Sequence, residues 1–368
     1  MIDSEELGAW IRLLETPGVG RESARRLLAA FGSPLAVLAA STAARREVVG
    51  AVAATALAES SEALDQQTQV TLDWLAAEAT APRTVVTLDH PHFPSALLHA
   101  ADPPLLLYAQ GRLELLAGDA IAVVGSRNPT RQGTDNARAF SAHLSQAGFT
   151  VVSGLALGID AAAHEGGLEG AASTVAVVGT GLDRVYPKRH LALARRIAEQ
   201  GLIVSEYSLG TPPLPENFPN RNRIIAGLTR GTLVVEAALK SGSLITARLA
   251  SESGRDVFAI PGSIHSPQSR GCHALIKQGA KLVESAQDIL EDLNLPGSAS
   301  AIETTQSELA LEEDAVLHAL GFDPVTLDVL VARTDWSASA LSVRLLELEL
   351  NGQIARLPGQ LFQRIGSV

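Results

Sequence analysis

The densest group of chemically capable side chains lies at residues 218–223, which read Phe-Pro-Asn-Arg-Asn-Arg. Guanidinium groups bind phosphate oxygens through paired hydrogen bonds, and aromatic rings stack on nucleobases. On a helix, Arg221 and Arg223 would lie about 200° apart around the axis, so we expect one to face a ligand and the other to point away. Asn222 lies between them, and Phe218 either stacks on a base or packs in the core.

A second group, residues 240–246, reads Lys-Ser-Gly-Ser-Leu-Ile-Thr at the start of a predicted helix. The N-terminus of a helix has unpaired N–H groups and a partial positive charge, which together bind oxyanions. A lysine and small hydroxyl residues at this point favour phosphate binding over a simple helix cap.

Two glycine-rich segments follow predicted strands. Residues 125–127, Gly-Ser-Arg, offer groups suited to an anion, and they fit an ordinary strand-to-helix turn equally well. In the segment 153–160, Asp160 is expected to cap a helix or hold the loop rather than act as an acid or base. Neither segment has the spacing of a dinucleotide-binding or P-loop motif.

Patterns for catalysis and metal binding are weak. The nine histidines lack metal-ligand spacing, and the single cysteine, Cys272, excludes an intramolecular disulfide and a cysteine-built zinc site. Glu206 and Glu236 end predicted strands, where carboxylates either perform acid–base chemistry or, more often, orient arginines. We therefore predict a binding protein without catalytic residues, metal or cofactor.

The middle of the chain predicts a scaffold that brings these segments together. Short apolar runs rich in β-branched residues alternate with helical patterns, which is typical of a doubly wound, mostly parallel α/β sheet. Ligands bind at the carboxyl ends of such strands, where the groups above are expected to meet. The runs are 120–125, 149–154, 174–179, 202–206, 232–236 and 256–260, with further edge strands expected at 84–88 and 105–108.

Helical patterns flank the predicted sheet domain, residues 83–290. Residues 1–82 indicate a helical domain in which Pro17-Gly18-Val19-Gly20 resembles the turn of a helix-hairpin-helix motif. Residues 291–308 indicate a linker. Residues 309–368 indicate three helices and a hairpin, an arrangement that resembles a winged helix.

Charge is divided unevenly along the 368 residues. The net charge of −11 argues against a polyanionic partner, since phosphate binding depends on lysine and arginine. However, residues 100–285 contain all four lysines and have a net charge of +3, whereas residues 1–99 and 286–368 have −5 and −9. No apolar stretch approaches the about 20 residues that span a bilayer, and no secretory signal is visible. A cytoplasmic protein without membrane contact is expected.

Five motifs resemble, in the correct order, those of the DNA-processing protein A family, also called Smf. They lie at residues 125–127, 153–160, 218–228, 241–247 and 254–262. The resemblance implies an extended Rossmann-like fold and a non-catalytic protein of natural transformation. Such a protein would bind and protect incoming single-stranded DNA, form homodimers through this domain and load the RecA recombinase onto the strand.

The resemblance also implies roles for single residues. Ser126 and Arg127 would hold phosphate, Phe218 would contact a base, and either Arg221 or Arg223 would help to complete a positive pocket. The dimer and RecA surface is expected near residues 271–280. The predicted DNA-binding residues are Gly125, Ser126, Arg127, Ser153, Gly154, Phe218, Arg221, Asn222, Arg223, Lys240, Ser241, Gly242, Ser243 and Thr246.

Two family segments differ here, because His190 and His273 stand where the family often has asparagine, and we expect structural roles for both. The alternative function is a nucleotide phosphoribohydrolase. Residues 231–236, Gly-Thr-Leu-Val-Val-Glu, are similar to that family's Gly-Thr-x-x-Glu element, but the glutamate lies one residue later and the preceding Pro-Gly-Gly is missing. A third hypothesis is an adaptor that acts through the C-terminal tail.

Overall fold

The computed structural model describes residues 2–59, 61–100, 102–293, 314–334 and 336–365. Contacts divide the chain into two compact units, residues 1–289 and 290–368. The first contains the N-terminal helices and a large sheet, and the second contains helices and a small sheet. Most of the predicted linker, from residue 294 onward, lies outside the described residues.

The N-terminal region consists of five helices, α1 to α5, at Ser4–Glu15, Arg21–Phe31, Pro34–Ala39, Thr42–Ala56 and Glu62–Ala76. Apolar side chains three or four positions apart, such as Leu7, Trp10 and Ile11, form their shared core. The predicted turn between α1 and α2 is present, and Gly18 has a φ of +83°, which glycine adopts at little cost. The helical N-terminal region is confirmed.

Strands β1 to β9 lie at Arg83–Thr87, Leu106–Gly111, Ala120–Val124, Thr150–Ser153, Thr174–Val177, Leu202–Ser205, Gly231–Val234, Asp256–Ala259 and Lys281–Leu282. They form one sheet in the order β1-β2-β6-β5-β4-β3-β7-β8-β9. Strand β2 is antiparallel to both β1 and β6, and all pairs from β6 to β9 are parallel. The predicted doubly wound, mostly parallel sheet is confirmed.

Eight helices, α6 to α13, accompany the sheet at Ser95–Leu98, Arg131–Gln146, Ile159–Gly167, Leu191–Gln200, Asn217–Leu228, Ser243–Glu252, Arg270–Lys277 and Ala286–Asp292. Short 3-10 helices occupy Leu113–Leu116 and Lys188–His190. Because helices cover both faces of the sheet, the central strands are buried on both sides and their sequences are almost entirely apolar.

The strand order reverses beside β3. The chain passes from β3 through β4, β5 and β6 on one side, and β7 then pairs with the other side of β3. The loops after β3 and β7 therefore leave the sheet in opposite directions, and a crevice opens between them. The segments 125–127 and 240–246 meet at this crevice.

The second unit contains α14 (Ala315–Leu320), β10 (Val325–Thr326), α15 (Leu327–Thr334), α16 (Ala338–Leu350), β11 (Ile354–Leu357) and β12 (Leu361–Arg364). Its strands form an antiparallel sheet in the order β10-β12-β11. Leu320, Leu330, Leu341 and Leu345 form the centre of its core. Three helices and a hairpin confirm the predicted winged helix. Over the described ranges of both units, no helix is both long and apolar enough to cross a membrane.

Candidate nucleic-acid interface

A pocket of about 510 Å³ lies at the carboxyl ends of β3 and β7, where the strand order reverses. Its walls come from the loop after β3, the first half of α10 and the segment that leads into α11. Eleven of the fourteen predicted residues line it: Gly125, Ser126, Arg127, Phe218, Arg221, Asn222, Lys240, Ser241, Gly242, Ser243 and Thr246.

Hydrogen bonds from side chains fix the loop after β3. Ser126 Oγ accepts from the Asn128 backbone N–H at 3.1 Å and donates to Gln268 Oε1 at 3.3 Å. Gln268 Nε2 donates to the Asn128 carbonyl at 2.8 Å. The hydroxyl of Ser126 is therefore used to shape the loop, and the neighbouring Arg127 extends into solvent.

The segment before α11 combines a cation with a helix N-terminus. Gly242 is the N-cap residue of α11 and offers no side-chain cap, and the hydroxyl oxygens of Ser241 and Ser243 lie 2.6 Å apart. Lys240 is exposed beside them. Throughout the described ranges, neither Lys240 nor Arg127 forms an ion pair with a carboxylate. Both cations therefore remain available to an anionic ligand.

Phe218 lies in the first turn of α10 and is half-buried. The guanidinium carbon of Arg127 lies 5.9 Å from the centroid of its ring, and the Tyr186 ring centroid lies 5.6 Å away. Tyr186 itself is 50% exposed. A partly exposed ring between a cation and a second aromatic ring is suited to stacking on nucleobases.

Arg221 is 5% exposed and contributes to the pocket wall from inside the protein. It donates a hydrogen bond to the Val177 carbonyl, and its Nη2 lies 3.9 Å from Asp160 Oδ2. Asp160 also accepts from the N–H groups of Gly154 and Ala156, at 3.1 and 3.2 Å. Burial raises the pKa of Asp160, and the Arg221 charge opposes this shift. Asp160 thus holds the loop after β4, the role that its position predicts.

His164 stabilises the same loop from a fully buried position. Its Nε2 accepts from the Leu155 N–H at 3.2 Å, and its Nδ1 lies 2.7 Å from Thr174 Oγ1. Because the Thr174 hydroxyl donates to the Val151 carbonyl, the imidazole proton is on Nδ1. Burial, more than the nearby positive charges, lowers the pKa of His164 to about 3, so the ring is neutral. This contact supports Leu155, whose φ of +58° is uncommon for a residue other than glycine.

The other three predicted residues do not line the pocket. Ser153 is buried and donates to a backbone carbonyl of β3 at 2.7 Å. Gly154 leaves room for Arg221, because a Cβ at this position would lie about 2 Å from the Arg221 guanidinium. Arg223 binds Glu206, with its Nη2 2.5 and 2.7 Å from the two carboxylate oxygens. Arg221 and Arg223 therefore have different surroundings, as their spacing predicts.

The two glutamates at strand ends also differ. Glu206 binds arginine, which confirms the expected role. The same prediction is wrong for Glu236, whose carboxylate accepts hydrogen bonds from the backbone N–H and hydroxyl of Thr130 at 2.9 and 2.5 Å. Thr130 is the N-cap residue of α7, so Glu236 fixes the start of that helix.

Comparison with known proteins identifies the family. The family model described as DNA recombination-mediator protein A matches residues 84–294, and the model described as DprA winged helix domain matches residues 300–360. The chain belongs to the DNA recombination-mediator protein A family. Protein Smf of Escherichia coli is 44% identical over 283 residues, which cover 75% of this chain and 76% of that protein. The DNA processing protein DprA of Streptococcus pneumoniae is 50% identical over 200 residues, covering 54% and 71%.

Solved structures agree with this assignment to the recombination-mediator family. The crystal structure of DNA processing protein A from Streptococcus pneumoniae has a TM-score of 0.68 and 38% identity, and the match covers 78% of this chain and 98% of that one. The protein from Helicobacter pylori, described as having a unique single-stranded DNA binding mode, has a TM-score of 0.52 and 30% identity, covering 57% and 95%. The family description is that of a DNA recombination mediator, and neither it nor the names of these relatives give an enzymatic activity. The phosphoribohydrolase alternative is therefore not supported.

His190 and His273, which stand where the resemblance led us to expect asparagine, both contact backbone carbonyls. His190 Nδ1 lies 3.0 Å from the Leu155 carbonyl, and His273 Nε2 lies 3.0 Å from the Gly262 carbonyl. A carbonyl only accepts, so each imidazole donates to a loop. Both side chains thus have the structural roles expected of them.

Besides Asp160, three polar or aromatic side chains of the site were not among the predicted residues. Asn128 and Gln268 line the pocket, and Tyr186 touches Phe218. Gln268 lies in a loop without periodic pattern, 142 positions from its partner Ser126, so the sequence has no signal for this pair. The sequence does offer a signal for Tyr186, because an aromatic residue close to Lys188 and Arg189 is a pattern typical of nucleic-acid binding.

Proposed function

We propose that this chain binds single-stranded DNA in the pocket between β3 and β7. The observation that carries the proposal is that Arg127 and Lys240 line the same pocket as the aromatic ring of Phe218. Both cations are exposed and have no carboxylate partner among the described residues, and both line the same pocket as the half-buried ring. Phosphates would bind the cations and the start of α11, and a base would stack on Phe218.

The remaining predicted residues have supporting roles in this proposal. Ser126 shapes the loop after β3, and Arg221 places a buried positive charge behind the pocket. Ser153, Gly154 and Arg223 act through the shape of the site rather than through contact with DNA. Stacking and phosphate contacts do not read base identity, so we expect binding to strands of any sequence.

The test compares two arginine variants that lose the same charge. Arg127→Ala removes a pocket cation, while Arg138→Ala removes an exposed cation that is paired with Glu169, just after α8, and does not line the pocket. Anisotropy of labelled oligothymidylate is measured across a salt series. For Arg127→Ala we expect about tenfold weaker binding and a loss of about 0.7 from the log–log salt slope. Wild-type affinity and slope in that variant would contradict the assignment.

We also propose that the chain is a homodimer that loads RecA onto strands entering the cytoplasm during natural transformation. The proposed domains are 1–82, 83–290, 291–308 and 309–368, with DNA binding and dimerisation in the second. A groove of about 640 Å³ lies beside α11, α12 and β9, near the expected residues 271–280. Strand β9 ends the sheet, and Leu239 and Leu282 are 59% and 50% exposed there. An exposed edge strand with apolar side chains is suited to pairing with a second copy.

Leu282→Glu tests the dimer, with Val52→Glu on exposed α4 as the matched control. Light scattering should give twice the chain mass for the wild type and the control, and the single-chain mass for Leu282→Glu. The rate of RecA filament assembly on single-stranded DNA, measured with and without this protein, tests loading. A monomeric wild type would contradict the dimer, and an unchanged assembly rate would contradict loading.

A further inference from the structure

Five charged side chains connect the N-terminal helices with α10, the helix that carries Phe218 and Arg221. We call this group the arginine cluster. Two members lie one turn apart on α2, one precedes β2, one follows β6 and one lies on α10. They are Arg21, Arg25, Asp102, Glu206 and Arg223.

Arg223 is the member on α10, and its side chain is 12% exposed. Its Nη2 binds both oxygens of the Glu206 carboxylate, at 2.5 and 2.7 Å, and its Nε donates to Asp102 Oδ2 at 3.1 Å. Two carboxylates therefore hold one guanidinium in a fixed orientation. The side chain of Glu206 is equally buried, which limits competition from water.

The α2 side of the cluster binds the same two carboxylates. Arg21 Nε donates to Asp102 Oδ2 at 2.7 Å, and its Nη1 lies 3.5 Å from Glu206 Oε2. Arg25 Nη1 donates to Asp102 Oδ1 at 2.6 Å. Burial alone would raise the pKa of Asp102, but the hydrogen bond from Arg25 and the charges of Arg223 and Arg21 hold it at about 2. Asp102 thus remains ionised and bridges α2 to α10.

The position of α10 determines the shape of the pocket. Phe218, Arg221 and Asn222 all lie on α10 and all line the pocket, and Arg223 is the next residue along the helix. A small rotation or shift of α10 would move the stacking ring and the buried guanidinium together, because packed helices move as rigid elements. The arginine cluster connects α2 to this helix through the two carboxylates.

We propose that Arg223 is a positioning residue of the DNA site and that α2 holds α10 in its binding position through Asp102 and Glu206. This inference rests on the proposed function, because it assigns a consequence for DNA binding to residues outside the pocket. Arg21 and Arg25 act through the two carboxylates and contact no DNA. The N-terminal helices are therefore a functional part of the DNA site.

The test uses two arginines of α2 that differ in their contacts. Arg21→Ala removes a cluster member, whereas Arg26→Ala removes an exposed arginine of the same helix that forms no ion pair within the described ranges. For Arg21→Ala we expect oligothymidylate affinity to fall about threefold to tenfold relative to Arg26→Ala. The salt slope should be unchanged, because no phosphate contact is lost. Hydrogen exchange of the α10 amides should become faster only in Arg21→Ala.

A double variant separates positioning from independent effects. If Arg21 acts through the cluster, Arg21→Ala should weaken binding less in an Arg223→Ala background than in the wild type. Equal affinity of Arg21→Ala and Arg26→Ala would overturn the inference, as would a loss of about 0.7 from the salt slope, which indicates a direct phosphate contact. If either result is found while Arg127→Ala still binds oligothymidylate weakly, the proposal that DNA binds in the pocket is retained. An unimpaired Arg127→Ala would instead contradict the proposed function itself.

Discussion

The pocket between β3 and β7 and helix α16 of the winged helix differ in the state of their charges. Arg127 and Lys240 in the pocket are exposed and have no carboxylate partner among the described residues. The basic side chain of α16, Arg344, donates to Asp314 at 2.8 Å and to Glu347 at 2.6 Å. Two carboxylates neutralise the cation of the helix that a winged helix commonly presents to DNA.

Helix α16 also presents an apolar surface. Val343, Leu346 and Leu350 are 61%, 57% and 79% exposed, at spacings that place them on neighbouring parts of the helix. Phosphate binding requires cations that release counterions, and apolar side chains supply none. A motif's layout therefore does not establish its partner: both regions have the layout of nucleic-acid-binding elements, but the one cation of α16 is paired with two carboxylates, whereas both pocket cations lack a carboxylate partner among the described residues.

The largest expected effect comes from removing both pocket cations. Arg127→Ala combined with Lys240→Ala should weaken oligothymidylate binding by about 100-fold and reduce the salt slope by about 1.4, as two phosphate contacts are lost. The matched control in the winged helix is Arg333→Ala combined with Arg356→Ala, both exposed. It should leave affinity within about twofold of the wild type. Equal losses in the two double variants would remove the distinction between the regions.

A smaller effect is expected from the aromatic side chains. Phe218→Leu keeps an apolar side chain but removes the stacking surface, so affinity should fall about tenfold with an unchanged salt slope. Phe322→Leu is the control, because Phe322 is a 50% exposed ring of the winged helix. Titrations at two salt concentrations measure both quantities. A reduced slope in Phe218→Leu would show that the substitution had disturbed a phosphate contact instead.

The smallest effect concerns the pH dependence of stability. The pocket loop is supported by neutral, buried His164, whereas the winged-helix core consists of apolar side chains. Because burial lowers the His164 pKa from its ordinary 6.5 to about 3, the unfolded chain gains a proton below pH 6.5 that the folded chain does not bind. The first unit should lose up to about 1.4 kcal/mol of unfolding free energy per pH unit in this range. Calorimetry of the wild type and of His164→Gln at several pH values tests this prediction. The unfolding free energy of the variant should depend less on pH below 6.5. The same pH dependence in both proteins would contradict the prediction.

Much of the sheet follows from local patterns. Six apolar runs with β-branched residues correspond to β3 to β8, since strands that are buried on both faces are largely apolar. Strand β9 has two residues, both exposed, and therefore no such pattern. The antiparallel pairing of β2 with β6 joins segments about 95 positions apart, and no local signal encodes that pairing.

The candidate site shows the same limit. Motif residues such as Ser126 and Lys240 could be assigned to the pocket because each lies just after a predicted strand. The sequence does not predict the partners of Arg223, because Asp102 lies 121 positions earlier in a segment without a motif. Spacing predicted that Arg221 and Arg223 differ, but only the fold shows that Arg221 is the one that lines the pocket.

The central claim is that single-stranded DNA binds in the pocket beside Phe218 and not on the winged helix. Photo-crosslinking with an oligonucleotide that contains 5-iodouracil tests it directly, because this base reacts with aromatic side chains that it contacts. Both regions offer targets, since Tyr186 is 50% exposed and Trp336 of the winged helix is 41% exposed. The account predicts that mass spectrometry finds the crosslink at Phe218 or Tyr186. A crosslink confined to Trp336 or Phe322 would contradict it.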